Sequence, residues 1–201
     1  MEVITLNNEA FFKTCEELIS KIDFEPEVIV GILDGGGYVS NEFKNKNDFQ
    51  KVQFNSVKLK RKSYLKNNFI VKVVLKLLPY KVTNRLRLME SKKVKKTISD
   101  LNLNDLSNCE INFKFINNSE EKIKNILIVD DAIDTGKTIF IIKNKLKKLL
   151  PDAKIKIAVI SWTIETSIIK PDYYLFKNSL VRYPWSLDYK GKDFEKKSFS
   201  I

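Results

Sequence analysis

Residues 126–139 read Ile-Leu-Ile-Val-Asp-Asp-Ala-Ile-Asp-Thr-Gly-Lys-Thr-Ile, and the other motifs of the chain take their meaning from this stretch. Ile126 to Val129 are four apolar residues, three of them β-branched, the pattern of a strand buried on both faces. Two adjacent carboxylates follow, Asp130 and Asp131, then Ala132 and Ile133, a third acid at Asp134, and the turn Thr135-Gly136-Lys137-Thr138. Beyond it Ile139, Ile142, Leu146, Leu149 and Leu150 recur with lysines between them, so a helix is predicted to begin near Lys137. Strand, acidic loop and helix N-terminus in that order make a cradle for a phosphate. The first N–H groups of the helix lack backbone partners, and Thr135 and Thr138 add hydroxyls. The carboxylates just before it suit sugar hydroxyls or a magnesium ion, which prefers oxygen ligands. One short loop can hold both ends of a phosphorylated sugar.

Two rival readings meet these residues. Thr-Gly-Lys-Thr also ends the nucleotide-binding P-loop, G-x-x-x-x-G-K-[ST]. That motif needs glycine at position 131, where this chain carries an aspartate that would face the phosphates, so the P-loop reading fails. The other rival is an ordinary charged surface turn. Three acids within five residues behind a buried strand repel one another, which makes such a turn costly.

The stretch resembles a known family. Ile126 to Ile139 is similar to the phosphoribosyl-diphosphate (PRPP) signature of type I phosphoribosyltransferases, and most similar to that of the hypoxanthine-guanine branch. The resemblance implies an α/β fold: a mainly parallel sheet with helices on both faces, a hood, and a site at the C-terminal ends of the strands. It implies that Asp130 and Asp131 hold the ribose hydroxyls and a magnesium ion. The loop from Asp130 through Ala132, Ile133, Asp134, Thr135, Gly136 and Lys137 to Thr138 would bind PRPP, and Asp134 stands where purine enzymes place a general base.

A second strand–glycine–helix unit lies upstream. Glu27 to Leu33 reads as a buried strand and runs into Asp34-Gly35-Gly36-Gly37, then a helix through Tyr38, Val39 and Phe43. Glycines there allow positive φ and bring backbone N–H groups close to a phosphate. The run is a near miss to G-x-G-x-x-G, but the acid expected after the next strand is absent; Lys51 to Leu59 leads into Lys60 and Arg61. Under the family resemblance, Asp34, Gly35 and Gly36 belong to the diphosphate loop. Asp34 departs from the basic or small polar residue usual there, so its carboxylate must point away or act through magnesium. The basic run from Val57 to Lys66, with Arg61, Lys62, Ser63 and Tyr64, matches the family's flexible catalytic loop by position; a solvated hairpin end is the alternative.

Elsewhere the chain reads as ordinary α/β scaffold. Val3 to Leu6 is a strand candidate, and Asn8 a cap for a helix whose apolar face is Phe11, Phe12, Cys15, Leu18, Ile19 and Ile22. Asn67 to about Lys96 reads as two helices broken at Pro79, part of an insertion over 67–107 within a single domain spanning 1–201. Its roles open to reading are a hood over the acceptor, a self-association face, a basic surface for a membrane or polyanion, or plain packing. Leu103 to Asn108 is linker-like and Glu110 to Ile116 a strand. Pro151 precedes a strand at Lys154 to Ile160.

Composition narrows the chemistry. The 201 residues include 36 basic and 25 acidic ones, a net charge of +11, which suits a polyanionic substrate although lysine bias explains much of it. There is no histidine, which removes His-based triads, His zinc sites and imidazole acid–base catalysis. Cys15 and Cys109 have no paired spacing. No basic-then-apolar leader is visible at the N-terminus, and the most apolar run, Phe69 to Leu78, is interrupted by Lys72 and Lys76. A cytoplasmic location is expected, with peripheral membrane contact and homo-oligomerisation both open.

The acceptor is where the resemblance thins. Purine enzymes place a lysine just after the strand following the signature helix, and here Trp162 falls there. They stack the base on an aromatic shortly before a Pro-Trp pair; this chain has Leu180 there, with Tyr183 and Trp185 around Pro184. The expected reaction is transfer of the 5-phosphoribosyl group from PRPP to an acceptor, with release of diphosphate. A sugar hydroxyl of a glycan is the preferred acceptor, with Trp162, Tyr183 and Trp185 as its contacts. A 6-oxopurine is the alternative. A PRPP-sensing regulator that binds nucleic acid ranks last, since no DNA-reading module is evident.

Overall fold

The computed structural model describes residues 1–59, 69–101, 113 and 123–191, the side chains of 69–72 excepted. The expected catalytic loop with Arg61, Lys62, Ser63 and Tyr64, the linker over 103–108, and the strand over 110–116 apart from Phe113 lie outside those residues.

In chain order the elements are β1 (Glu2–Thr5), α1 (Asn8–Ser20), β2 (Val28–Ile32), α2 (Gly35–Lys44), β3 (Gln53–Val57), α3 (Phe69–Leu77), α4 (Tyr80–Lys96), β4 (Asn125–Ile133), α5 (Lys137–Leu149), β5 (Lys154–Trp162), β6 (Tyr173–Lys177) and β7 (Ser179–Arg182). Five strands form one sheet in the order β3-β2-β4-β5-β6, and every neighbouring pair is parallel. A separate parallel pair joins β1 to β7, the two ends of the domain.

The apolar runs of β2, β4 and β5 are explained by burial on both faces. Val28, Val30, Ile126, Ile128, Ile155 and Ile157 point to one face and pack with Ile139, Ile142 and Leu146 of α5. Ile29, Leu127, Val129, Ala158 and Ile160 alternate to the other, against Phe11, Cys15 and Leu18 of α1 and Val39 and Phe43 of α2. Period-two strands between helices on opposite sides give the expected α/β architecture. Fully burying each such side chain is worth roughly 1.5–3 kcal/mol, so the two faces together carry most of the core.

Several boundaries differ from the sequence reading. The cap of α1 is Asn7, whose side-chain oxygen accepts from Ala10 N at 2.8 Å; Asn8 is already helical. Phe12, expected on the buried face, is 41% exposed. The glycine run belongs to the first turn of α2, which begins at Gly35. β4 extends through the acids to Ile133, and β5 to Trp162, because the two remain paired in register to Ile133↔Trp162. The helix break at Pro79 is where it was expected. β6 and β7 were not visible in the sequence; both are short, β6 half-buried and β7 mostly buried, with no long apolar run.

Candidate active site

β2 and β4 are neighbours, so the two glycine- and acid-bearing segments emerge side by side from the C-terminal edge of the sheet. Their contact is very close. A Cβ on Gly36 would lie 2.5 Å from the Val129 carbonyl oxygen and 2.8 Å from Asp130 Cα, and one on Gly35 would strike the Asp131 carboxylate. Among the described glycines only Gly136 has positive φ. Gly35 and Gly36 are therefore needed for closeness, not for a left-handed backbone as the sequence reading allowed. The Asp34 carboxylate turns to Lys58 Nζ at 2.9 Å, an exposed ion pair. The charge of Asp34 is met by a lysine just past the end of β3.

Asp130 is 6% exposed, and its Oδ1 accepts from the Asp131 N–H at 2.9 Å. Asp131 is half-buried and Asp134 exposed, so the three acids differ in environment although they lie within five residues. At Gly136, with φ 82°, the chain turns left-handed and enters α5. Thr135 Oγ1 accepts from Lys137 N at 3.3 Å, which folds the loop back on itself at the helix start. The arrangement offers a helix N-terminus and a threonine-bearing turn to an anion, with two carboxylates one strand-end away.

The residues expected to touch the acceptor stand behind this loop instead. Trp162 is 6% exposed: its ring packs edge-on against Tyr174, the Lys177 ammonium lies 5.1 Å from its centroid, and its indole N–H donates to Ser167 Oγ at 2.9 Å. Ser167 donates onward to the Ile169 carbonyl at 2.8 Å. The same segment supports the 134–138 turn, because Ile168 N donates to the Thr135 carbonyl at 2.9 Å and the Ile169 side chain closes on Gly136. Trp162 is thus packed inside the fold rather than laid open. It braces residues 164–169, which in turn hold Thr135 and Gly136.

Tyr183 has a comparable position. It is 4% exposed, and its hydroxyl donates to the Asp131 carbonyl at 2.7 Å. Burial first, then the charges of Asp131 and Asp130, push its phenol well above the ordinary range, so it remains a neutral donor. Its ring stacks on Trp185 at 4.8 Å and 5°, Trp185 stacks on Tyr38 at 4.5 Å, and Phe11 meets Trp185 edge-on at 5.0 Å. Tyr38 lies in α2 just after the glycines. The aromatic group therefore links the glycine segment, Asp131 and the C-terminal segment, with one face of the Tyr183 ring covered by Trp185. Trp185 is half-buried within the same group.

No sequence signal pointed to the buried ion network next to it. Arg182 is fully buried; it donates to Asp188 at 2.9 Å, Thr5 at 2.8 Å, Thr83 at 2.9 Å and Asn84 at 2.6 Å, and its guanidinium lies 4.2 Å from the Tyr80 ring centroid. Arg87 joins from α4, donating to both Asp188 oxygens. Burial alone would raise the Asp188 carboxyl, but the two guanidiniums outweigh it and hold it down at about 2. These contacts attach α4 to β1, β7 and the segment around Asp188.

The donor set fits magnesium as a shared ion. Among the described residues no group of three or more His, Cys, Asp or Glu side chains gathers to hold a metal by itself. Asp130 and Asp131 supply hard oxygen donors, and magnesium characteristically takes one or two carboxylates with the rest of its shell from substrate oxygens and water.

A family model of the phosphoribosyl transferase domain matches residues 4–185 of the chain. The structure is similar to that of a purine phosphoribosyltransferase from Pyrococcus horikoshii (21% identity, TM-score 0.57, covering 92% of this chain and 95% of that one). It is also similar to the Helicobacter pylori xanthine-guanine-hypoxanthine phosphoribosyltransferase (15%, 0.55, 92% and 90%) and to a Neisseria gonorrhoeae protein solved with bound ppGpp (14%, 0.53, 92% and 89%). At these identities the likeness is one of fold. No curated protein sequence matches the chain.

Proposed function

Because the chain belongs to the phosphoribosyltransferase family, we propose that it transfers the 5-phosphoribosyl group of PRPP to an acceptor, with release of diphosphate, through the loop Asp130–Thr138. The observation that carries this reading is the packing of Gly35 and Gly36 directly on Asp130 and Asp131, beside a helix start at Lys137. Asp130 and Asp131 hold the ribose hydroxyls as the anomeric carbon gains positive charge. The turn from Asp134 to Thr138 receives the 5′-phosphate. The N–H groups near Gly35 and Gly36 face the diphosphate, whose negative charge grows as it leaves. Magnesium, when bound by Asp130 and Asp131 with substrate oxygens, would neutralise charge on that leaving group. Asp134, exposed at the loop, takes the acceptor's proton.

For the acceptor we propose a sugar hydroxyl of a glycan. What supports it is position 162: the only side-chain donor there, the indole N–H, is spent on Ser167, so that position offers nothing to the exocyclic oxygen of a purine. A site built without donors for a base edge discriminates it poorly. The second reading is a 6-oxopurine. Lys177 pairs with position 162 across the strands and would bring an ammonium to that neighbourhood, although it is engaged with Glu165. Purine enzymes are also named among the similar folds. Incubating the protein with labelled PRPP and magnesium, first with hypoxanthine, guanine and xanthine and then with glycan acceptors, separates the two. Purine turnover near the usual enzyme median of about ten per second would overturn the glycan acceptor, and absence of PRPP binding by calorimetry at millimolar ligand would overturn the donor.

A further inference from the structure

α4 is amphipathic in the inverse sense. The side it turns to the protein is polar: Thr83 and Ser91 are buried, and Arg87 reaches Asp188 and the Val181 carbonyl. The side it turns outward carries Val82, Leu86 and Met89, spaced four and three residues apart and therefore aligned in one stripe, at 41%, 46% and 52% exposure. α3, across Pro79, also exposes Val73, Val74 and Leu77, the last at 76%. Packing demands have already been met by the polar face, so the apolar stripe has no role in the fold as described.

The charge around the stripe identifies what covers it. α4 carries Lys81, Arg85, Lys92, Lys93, Lys95 and Lys96 at exposed positions, against a single acid, Glu90. A second copy of this face would bring like charges together on a chain whose net charge is already +11. A nucleic acid would use the lysines but leave the valine, leucine and methionine in water. An anionic lipid surface uses both: the apolar side chains enter the acyl boundary and the lysines meet the headgroups.

We propose that α4, with the exposed apolar end of α3, docks the protein on an anionic bilayer surface. The contact is peripheral, since no helix among the described residues is long and apolar enough to cross a membrane. Its attachment is rigid: the Arg87–Asp188–Arg182 network fixes α4 to β7, which leads within one residue to Tyr183 and so to the Asp131 carbonyl. Docking would hold the hood side of the active site at the lipid interface. The proposal does not depend on which acceptor is used.

Co-sedimentation of the full chain with vesicles tests it, using phosphatidylcholine alone and phosphatidylcholine with about a third phosphatidylglycerol. Binding is expected to the anionic vesicles and to be weak on the neutral ones. The exposed triple variant Val82→Ser, Leu86→Ser, Met89→Ser should lower anionic binding by about tenfold or more while PRPP affinity is unchanged. A Leu86→Trp variant gives a direct readout, a blue shift of its emission on anionic vesicles. Absence of that shift, or vesicle binding that survives the triple substitution, overturns the proposal. So does a dimer in sedimentation equilibrium that the triple variant dissolves, which would make the stripe a self-association face, and so does duplex DNA displacing the protein from vesicles with the triple variant binding DNA as wild type.

Discussion

The loops at the ends of β2 and β4 and the layer made by β1, β7 and α4 lie close together, yet they hold their shapes differently. In the loops the contacts are backbone: Gly36 against the Val129 carbonyl, Asp131 N–H on Asp130, the left-handed turn at Gly136. In the hood layer they are long side chains that reach across the sequence, Arg182 to Thr5 and Thr83, and Arg87 to Asp188. Backbone geometry at a loop is written in a few consecutive residues, because glycine and helix starts act locally. A buried guanidinium is affordable only where several distant acceptors converge on it. The first kind of site is legible in a motif; the second is a property of the folded chain.

Removing the acids should separate the two regions most sharply. Asp130→Asn with Asp131→Asn is expected to weaken PRPP binding by two orders of magnitude or more, since hydrogen bonds to charged groups are worth about 1.5–3 kcal/mol each, while the thermal transition stays near wild type. Calorimetry and a thermal melt on the same sample check both halves. An equal collapse of stability would mean that the acids serve the fold.

Arg182→Ala should do the opposite. It removes one of the two guanidiniums that hold Asp188 and leaves the Thr5, Thr83 and Asn84 oxygens without that donor, a change expected to cost about 3–5 kcal/mol in denaturant unfolding. A cost under about 1 kcal/mol would show that the network is no stronger than a surface ion pair.

Acid should reach the hood layer through Asp188. Its carboxyl is held at about 2 in the folded chain against an ordinary 3.8, so its pairing contributes stability that is complete above the ordinary value and is lost as pH falls from there through about 2. The melting temperature of wild type is expected to fall over that window more steeply than that of Asp188→Asn, whose melting temperature at neutral pH is already lower. Parallel curves would place the acid sensitivity elsewhere.

The smallest effect is the most diagnostic of how the regions touch. Tyr183→Phe removes one hydroxyl from the Asp131 carbonyl and keeps the stack on Trp185, at an expected loss of about 0.5–1.5 kcal/mol. If Tyr183 sets the position of Asp131, the loss should be seen as a higher KM for PRPP with kcat little changed. A variant that melts lower but keeps the wild-type KM would make Tyr183 a packing residue alone.

Local sequence was enough for the parts whose physics is local. Ile126 to Val129 and Val28 to Ile32 had to be buried strands, Lys137 had to open a helix, and Pro79 had to break one, since periodicity, cradle and missing N–H are fixed by neighbours in the chain. The same locality made the resemblance of Asp130, Asp131 and the 134–138 turn to the family's PRPP signature legible. The surroundings of Trp162, Tyr183 and Trp185 were not legible, because an aromatic near a site reads alike whether its ring faces a ligand or a core. Only the tertiary structure decided that, by giving Trp162 a partner in Ser167 and Tyr183 one in the Asp131 carbonyl. It likewise decided that the polar face of α4 turns inward, because Asp188 and Arg182, about a hundred residues along the chain, supply what that face needs.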